Sequence, residues 1–90
     1  MERRDRIIEK LIEIYSSVLK RDVSKEVFTE GRSIVDELFI DSLTGLQIIV
    51  KIEQVFQVII EDDDEAIKMI DSITESVDFI LRNTKNQEYL

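Results

Sequence analysis

Apolar residues recur near the start of the chain at intervals of three and four: Ile7, Ile8, Leu11, Ile12, Tyr15, Val18 and Leu19, with Glu9, Lys10, Glu13 and Ser16 between them. A period near 3.6 puts the two sets on opposite sides of a helix, so the spacing predicts an amphipathic helix from about Arg4 to Lys20. The pattern then lapses. Between Arg21 and Ser33 only Val23, Val27 and Phe28 are apolar, and Gly31 marks a turn. This is a long first loop, of a length that is usually functional or carries a short helical turn. Ser33-Ile34-Val35-Asp36-Glu37-Leu38 leads into Phe39-Ile40-Asp41-Ser42-Leu43. An aspartate or serine ahead of a periodic run is a helix-start signal, because its oxygen can accept from an orphan N–H of the first turn. Leu43 to about Phe56 reads as that helix. Leu46, Ile49, Val50 and Phe56 line one side, Ile48, Ile52, Val55 and Ile59 widen the apolar arc, and Thr44, Gln47, Lys51 and Gln54 form a narrow polar stripe. A helix so apolar around its circumference is expected at the centre of the domain, covered on most sides.

The segment Gln57 to Ile60 is rich in β-branched residues, but a lone strand has nothing to pair with, so it reads as a helix end and an extended link. The acidic run Glu61 to Glu65 suits the N-terminal end of a following helix through the macrodipole. Ala66, Ile67, Met69 and Ile70 give that short helix, Asp71-Ser72 punctuates, and Ile73, Val77, Phe79, Ile80 and Leu81 give a last helix ending near Arg82. Asn83 to Leu90 reads as a frayed tail. The expected fold is all-α: a four-helix bundle with a short third helix and a long first loop. Residues 1–90 form one domain with its core in about 5–82.

Composition narrows what such a bundle can do. The chain has neither cysteine nor histidine, so disulfides, thiolate metal sites and the commonest general base are absent. No run approaches the ~18–20 apolar residues of a membrane span, and the apolar positions after the charged start are too broken for a signal peptide. A cytoplasmic monomer is the expectation, with a stand-alone protein and a piece of a larger synthase both open. The net charge of −8 is uneven: residues 1–25 hold seven Lys/Arg against five Asp/Glu, while residues 26–90 hold five against fifteen. Such a surface repels nucleic acid and suits basic protein patches.

Asp41-Ser42-Leu43 is the segment with candidate chemistry, and Asp71-Ser72-Ile73 is an internal control with the same residue types. In isolation either is an ordinary helix cap. The surroundings differ. Ser33 to Leu43 resembles the signature of the acyl carrier proteins, an apolar-acidic stretch ending in Leu, two further residues, then Asp-Ser-Leu. Ile52 to Ile60 is similar to that family's central-helix end, Asp62 to Ala66 to its acidic link, and Ser72 to Ile80 to its closing helix. The resemblance spans about Ile7 to Leu81. It implies a non-catalytic protein carrying acyl groups as thioesters on a covalent 4′-phosphopantetheine arm, which a phosphopantetheinyl transferase moves from coenzyme A onto Ser42. A phosphate at a helix N-terminus is favoured by unpaired N–H groups. The thiol comes with the arm, so a chain without cysteine can still form thioesters. Partner recognition is expected at Asp41, Leu43, Thr44, Gln47 and Glu53, facing acyl-loading and acyl-processing enzymes with basic docking patches. Leu43 is expected to pack the helix start against the bundle and so fix where Ser42 points. Leu46, Val50 and Ile73 are expected in the core, the alternative being a cargo pocket, since the resemblance implies that the apolar interior between helices can shelter an acyl chain.

The chain also departs from the family. Ile40 stands where glycine usually precedes the Asp, Gln57 takes the glycine of the turn after Phe56, where any positive φ carries a steric cost, and Glu61 replaces the usual proline. The exposed stripe of the central helix is not acidic, leaving Glu53 as its main acid. That implies a specialised fatty-acid, lipid or polyketide route with dedicated partners. The alternatives are an aminoacyl (peptidyl or D-alanyl) carrier and an unmodified helical interaction module. A catalytic pair of Asp36 and Asp41 would need a concave pocket, which is not expected in so small a bundle, and the Glu61–Glu65 run lacks the glycine and ligand spacing of a calcium loop, so both read as solvated surface.

Overall fold

Helix-forming stripes, capping residues and left-handed stops alternate along the chain, and the computed structural model, which describes residues 3–84, follows them. The described residues form α1 (Arg3–Leu19), α2 (Ile34–Leu38), α3 (Ser42–Phe56), α4 (Asp63–Asp71) and α5 (Ile73–Asn83), with a 3₁₀ turn at Lys25–Val27 and no strand. The four expected helices are α1, α3, α4 and α5. The first loop holds more structure than its composition shows, both the 3₁₀ turn and α2. Each is started by a serine: the Ser24 side chain accepts from Glu26 N–H, and that of Ser33 from Asp36 N–H. The expected short third helix is α4. It begins ahead of Ala66 because Asp62 caps it, accepting from the N–H groups of Asp64 and Glu65, and three more carboxylates occupy its first turn. Asn83 is the last residue of α5 and Thr84 is its buried cap, two residues that the sequence pattern put in the tail. The rest of that tail lies outside the described residues.

The centre of the bundle is α1 against α3 and α5, with α4 laid over α3 and α5 and α2 set against α4. Ile7, Leu11, Ile14 and Tyr15 from α1 join Ile48, Ile52 and Phe56 from α3 and Ile73, Val77 and Ile80 from α5 in one buried cluster. Val27 and Phe28 plug the loop into it, Phe28 meeting Tyr15 edge-on at 5.0 Å between ring centroids. The Tyr15 hydroxyl donates to Ile70 O at 2.7 Å, so the most buried polar group of α1 satisfies a carbonyl near the end of α4. Burial and the nearby Asp71 carboxylate push the Tyr15 phenol well above its ordinary range.

α3 is less enclosed than its apolar circumference implies. Gly45, Ile48, Ile49, Ile52 and Phe56 are buried, but Leu43 is 68% exposed, Leu46 60%, and Val50 and Ile59 also face solvent. The expectation that Leu43 packs against the bundle and that Leu46 and Val50 belong to the core is therefore corrected. A bundle this small covers only part of a central helix, and the arc from Leu43 through Leu46 to Val50 has no helix over it. Ile73 is in the core, as expected.

Candidate functional site

The two Asp-Ser pairs are used differently. At the start of α5 the serine is the cap: Ser72 Oγ accepts from Glu75 N–H at 3.3 Å, and Asp71 Oδ1 accepts from the Ser33 hydroxyl and from Val35 N–H. That pair is structural, tying the end of α4 to the start of α2. At the start of α3 the aspartate is the cap. Asp41 is extended (φ −90°, ψ 177°), its Oδ1 accepts from Thr44 N–H at 2.8 Å and its carbonyl from Gly45 N–H at 2.8 Å. Hydrogen bonds from the Thr44 amide and hydroxyl hold the Asp41 carboxyl below the usual carboxylate range.

With Asp41 capping, Ser42 becomes the first residue of the helix, and its side chain is exposed. Its hydroxyl makes no hydrogen bond to any described residue, and neither it nor Leu43 has a backbone N–H taken by an acceptor among them. An anion bonded to Ser42 Oγ would meet two unpaired amides and the positive end of a fifteen-residue helix. The residues present thus fit a phosphate-linked group. An ionised Asp41 already engaged by Thr44 is a poor base for this hydroxyl.

From Ser42 a groove of about 570 Å³ runs between α3 and α4. Ile40, Gly45, Leu46, Ile49, Val50 and Val35 form one side, and Ala66, Ile67 and Ile70 the other, with Glu53, Ile60 and Asp63 at the far end. Gly45 sets its width: a Cβ there would stand 3.1 Å from Ile70 Cδ1. A second hollow of about 520 Å³, lined by Ile59 to Asp62, Asp64, Glu65, Lys68, Phe79 and Asn83, does not include Ser42. Among the described residues no cluster of carboxylates could hold a metal ion, and no helix is long and apolar enough to cross a membrane.

The remaining sequence-proposed residues divide. Thr44 is half-buried and holds Asp41; Gln47 is exposed on the same helix. Glu53, expected as the main exposed acid of α3, is half-buried instead, its Oε2 accepting from Ile60 N–H at 2.8 Å to fasten the link after the helix. Gln57 does take the left-handed conformation (φ 55°), but Ile40 does not: the left-handed residue before the Asp is Phe39 (φ 55°), while Ile40 is a buried anchor. The sequence reading missed Phe39. Its signal was a short helical stretch, Ile34 to Leu38, that needs a stop before a new cap at Asp41. A family model described as a phosphopantetheine attachment site matches residues 9–79.

Proposed function

The chain belongs to the phosphopantetheine attachment family, whose members bear covalent 4′-phosphopantetheine, and from that premise we propose that Ser42 carries the arm and that the protein is an acyl carrier. The observation that carries this reading is a free, exposed hydroxyl at the mouth of α3, beside two unpaired amides and at the head of a largely apolar groove. In the loading step the Ser42 oxygen attacks the phosphorus bearing pantetheine in coenzyme A. The new O–P bond gives a phosphodiester, the pyrophosphate bond breaks to release adenosine 3′,5′-bisphosphate, and the hydroxyl proton passes to a base on the transferase. When bound, the arm supplies a thiol for thioester formation. The chain's own part is to present the hydroxyl, orient it through the Asp41 cap, and stabilise the phosphodiester with the helix terminus.

The groove supports acyl rather than aminoacyl cargo, because Ile40, Leu46, Ile49 and Ile70 offer contact to methylenes and little to an ammonium group. Partners are the transferase and the enzymes that load and process the acyl group. Asp41, Leu43, Thr44, Gln47 and Glu53 remain the proposed recognition set. Within it Thr44 and Glu53 act through the Asp41 cap and the Ile60 link, whereas Leu43 and Gln47 face solvent directly. A central helix with this neutral exposed stripe fits a specialised route better than partners that read a row of carboxylates. We propose that the domain acts as a non-catalytic, monomeric carrier in the cytoplasm.

Intact-mass measurement after incubation with coenzyme A and a broad-specificity transferase tests the reading. One added phosphopantetheine, abolished in Ser42→Ala and kept in Ser72→Ala, is the expected result. An unmodified chain would return the protein to the class of helical interaction modules.

A further inference from the structure

Among the described residues, three non-glycine residues adopt the left-handed conformation, Lys20, Phe39 and Gln57, each just past the end of a helix. Lys20 and Gln57 are polar, so their exposure costs little. Phe39 differs: it is an aromatic residue at φ 55°, a position that glycine or asparagine fills at lower cost, and it is 89% exposed. Its ring adds nothing to the core, so the fold gains nothing from phenylalanine here. Yet the residue is held in a defined place. Its N–H donates to Val35 O, the next N–H, of Ile40, donates to the same carbonyl at 3.1 Å, Arg21 Nη2 donates to Leu38 O at 3.0 Å, and Ile40 is buried. A backbone strained in this way and fixed on both sides points from structure toward function.

Resting on the reading of Ser42 as the attachment point, we propose that Phe39 is a specificity-determining contact residue for the enzyme that attaches the arm, inserted into an apolar socket beside that enzyme's active site. Phe39 and Ser42 are three residues apart, so their Cα atoms are at most ~11 Å from one another. An enzyme that engulfs the Ser42 hydroxyl through a patch of ~800 Å², roughly 30 Å across, covers Phe39 as well. Exposed Leu43 and Leu46 lie within the same radius, and α3 carries no acidic side chain between Ser42 and Lys51. Exposed Asp36, Glu37 and Asp41 flank Phe39 in sequence, so the complementary surface is an apolar socket for Phe39 set in a basic rim. An aromatic side chain with only two rotatable angles, on a backbone already held before contact, loses little entropy on docking. Phe39 does not line the groove beside Ser42, so the chain's own cargo is not its occupant.

The test compares thermal unfolding and loading by coenzyme A and a phosphopantetheinyl transferase for the wild-type chain, Phe39→Gly, Phe39→Asn and Phe39→Trp. Glycine and asparagine relieve the strain, so both variants melt higher, by roughly 4–8 °C for glycine, while kcat/KM for loading falls about tenfold, mainly through KM. Tryptophan keeps loading near the wild-type value. The difference persists at high salt, because the contact is apolar. A structural role would move stability and loading in the same direction, so a glycine variant that melts lower overturns the proposal. Loading of the glycine variant at wild-type efficiency, a difference that vanishes with salt, or a wild-type dimer in sedimentation that Phe39→Gly abolishes would each overturn it too. A wild-type chain that gains no phosphopantetheine sinks the Ser42 reading and this inference together; one that gains it regardless of residue 39 sinks the inference alone.

Discussion

Two serines thirty residues apart, alike in their neighbours but not in their role, show how much one residue's offset matters. Ser72 stands at the cap and spends its hydroxyl on Glu75 N–H; Ser42 stands one place later, behind a capping aspartate, and its hydroxyl is left over. Ser72→Ala is therefore expected to lower stability by about 1 kcal/mol, the usual value for a lost serine cap, without affecting loading, whereas Ser42→Ala leaves the melting temperature unchanged and abolishes loading. Asp41 adds a pH signature. Its carboxyl is depressed in the fold, so its contribution is fully present above the ordinary carboxylate value and is lost as pH falls through the folded one. Asp41→Asn keeps a good cap without the titration. Its melting temperature should match the wild type near neutrality and fall less steeply in acid, as followed by circular dichroism from pH 7 down to about 3.

At the scale of elements, the contact between α3 and α4 governs the groove. Gly45 lets the two helices approach, and the methyl group it admits is Ile70 Cδ1. Gly45→Ala gains roughly 1 kcal/mol of helix propensity but drives that methyl aside by a few tenths of an ångström, so the two effects oppose and net stability shifts by less than about 1 kcal/mol. Both the new Cβ and the displaced methyl belong to residues that line the groove, so the substitution reshapes its wall. On the proposed function, a long acyl thioester on the Gly45→Ala carrier is cleaved faster by hydroxylamine than on the wild type, while a short one is cleaved equally fast. Equal rates at all chain lengths would separate the groove from cargo.

Over the whole molecule, long-range polar contacts lock the short helices to the core. Tyr15 reaches from α1 to the Ile70 carbonyl, and Asp71 reaches from α4 to Ser33 and Val35 at the start of α2. In a domain of this size, with only a few kcal/mol to lose, each counts. Tyr15→Phe leaves the Ile70 carbonyl without its partner and is expected to cost about 1–2 kcal/mol at neutral pH. Its alkaline behaviour runs the other way. Burial raises the Tyr15 phenol above its ordinary value of 10.0, so the wild type loses stability as pH rises past that point, because only the unfolded chain ionises there. The phenylalanine variant lacks that decline, and the stability gap between the two proteins should narrow above pH 10 in urea titrations.

The four longer helices and their order were legible in the sequence, as was the serine proposed to bear the arm, because a 3.6-residue period, capping residues and an Asp-Ser-Leu in its setting are local properties of the chain. The acidic run before α4 capped it as its charge implied, and Gln57 stopped α3 as its place after Phe56 implied. Burial was not local. Leu43, Leu46 and Val50 are as apolar as Ile48 and Ile52, and only the placement of the neighbouring helices decided which of them faced water. The same holds for Glu53, whose carboxylate reads as surface until the chain turns back to bring Ile60 N–H to it, and for Phe39, whose left-handed backbone follows from α2 having to end before Asp41 caps α3. Periodicity tells which residues share a helix face; which face is covered depends on packing between segments far apart in sequence.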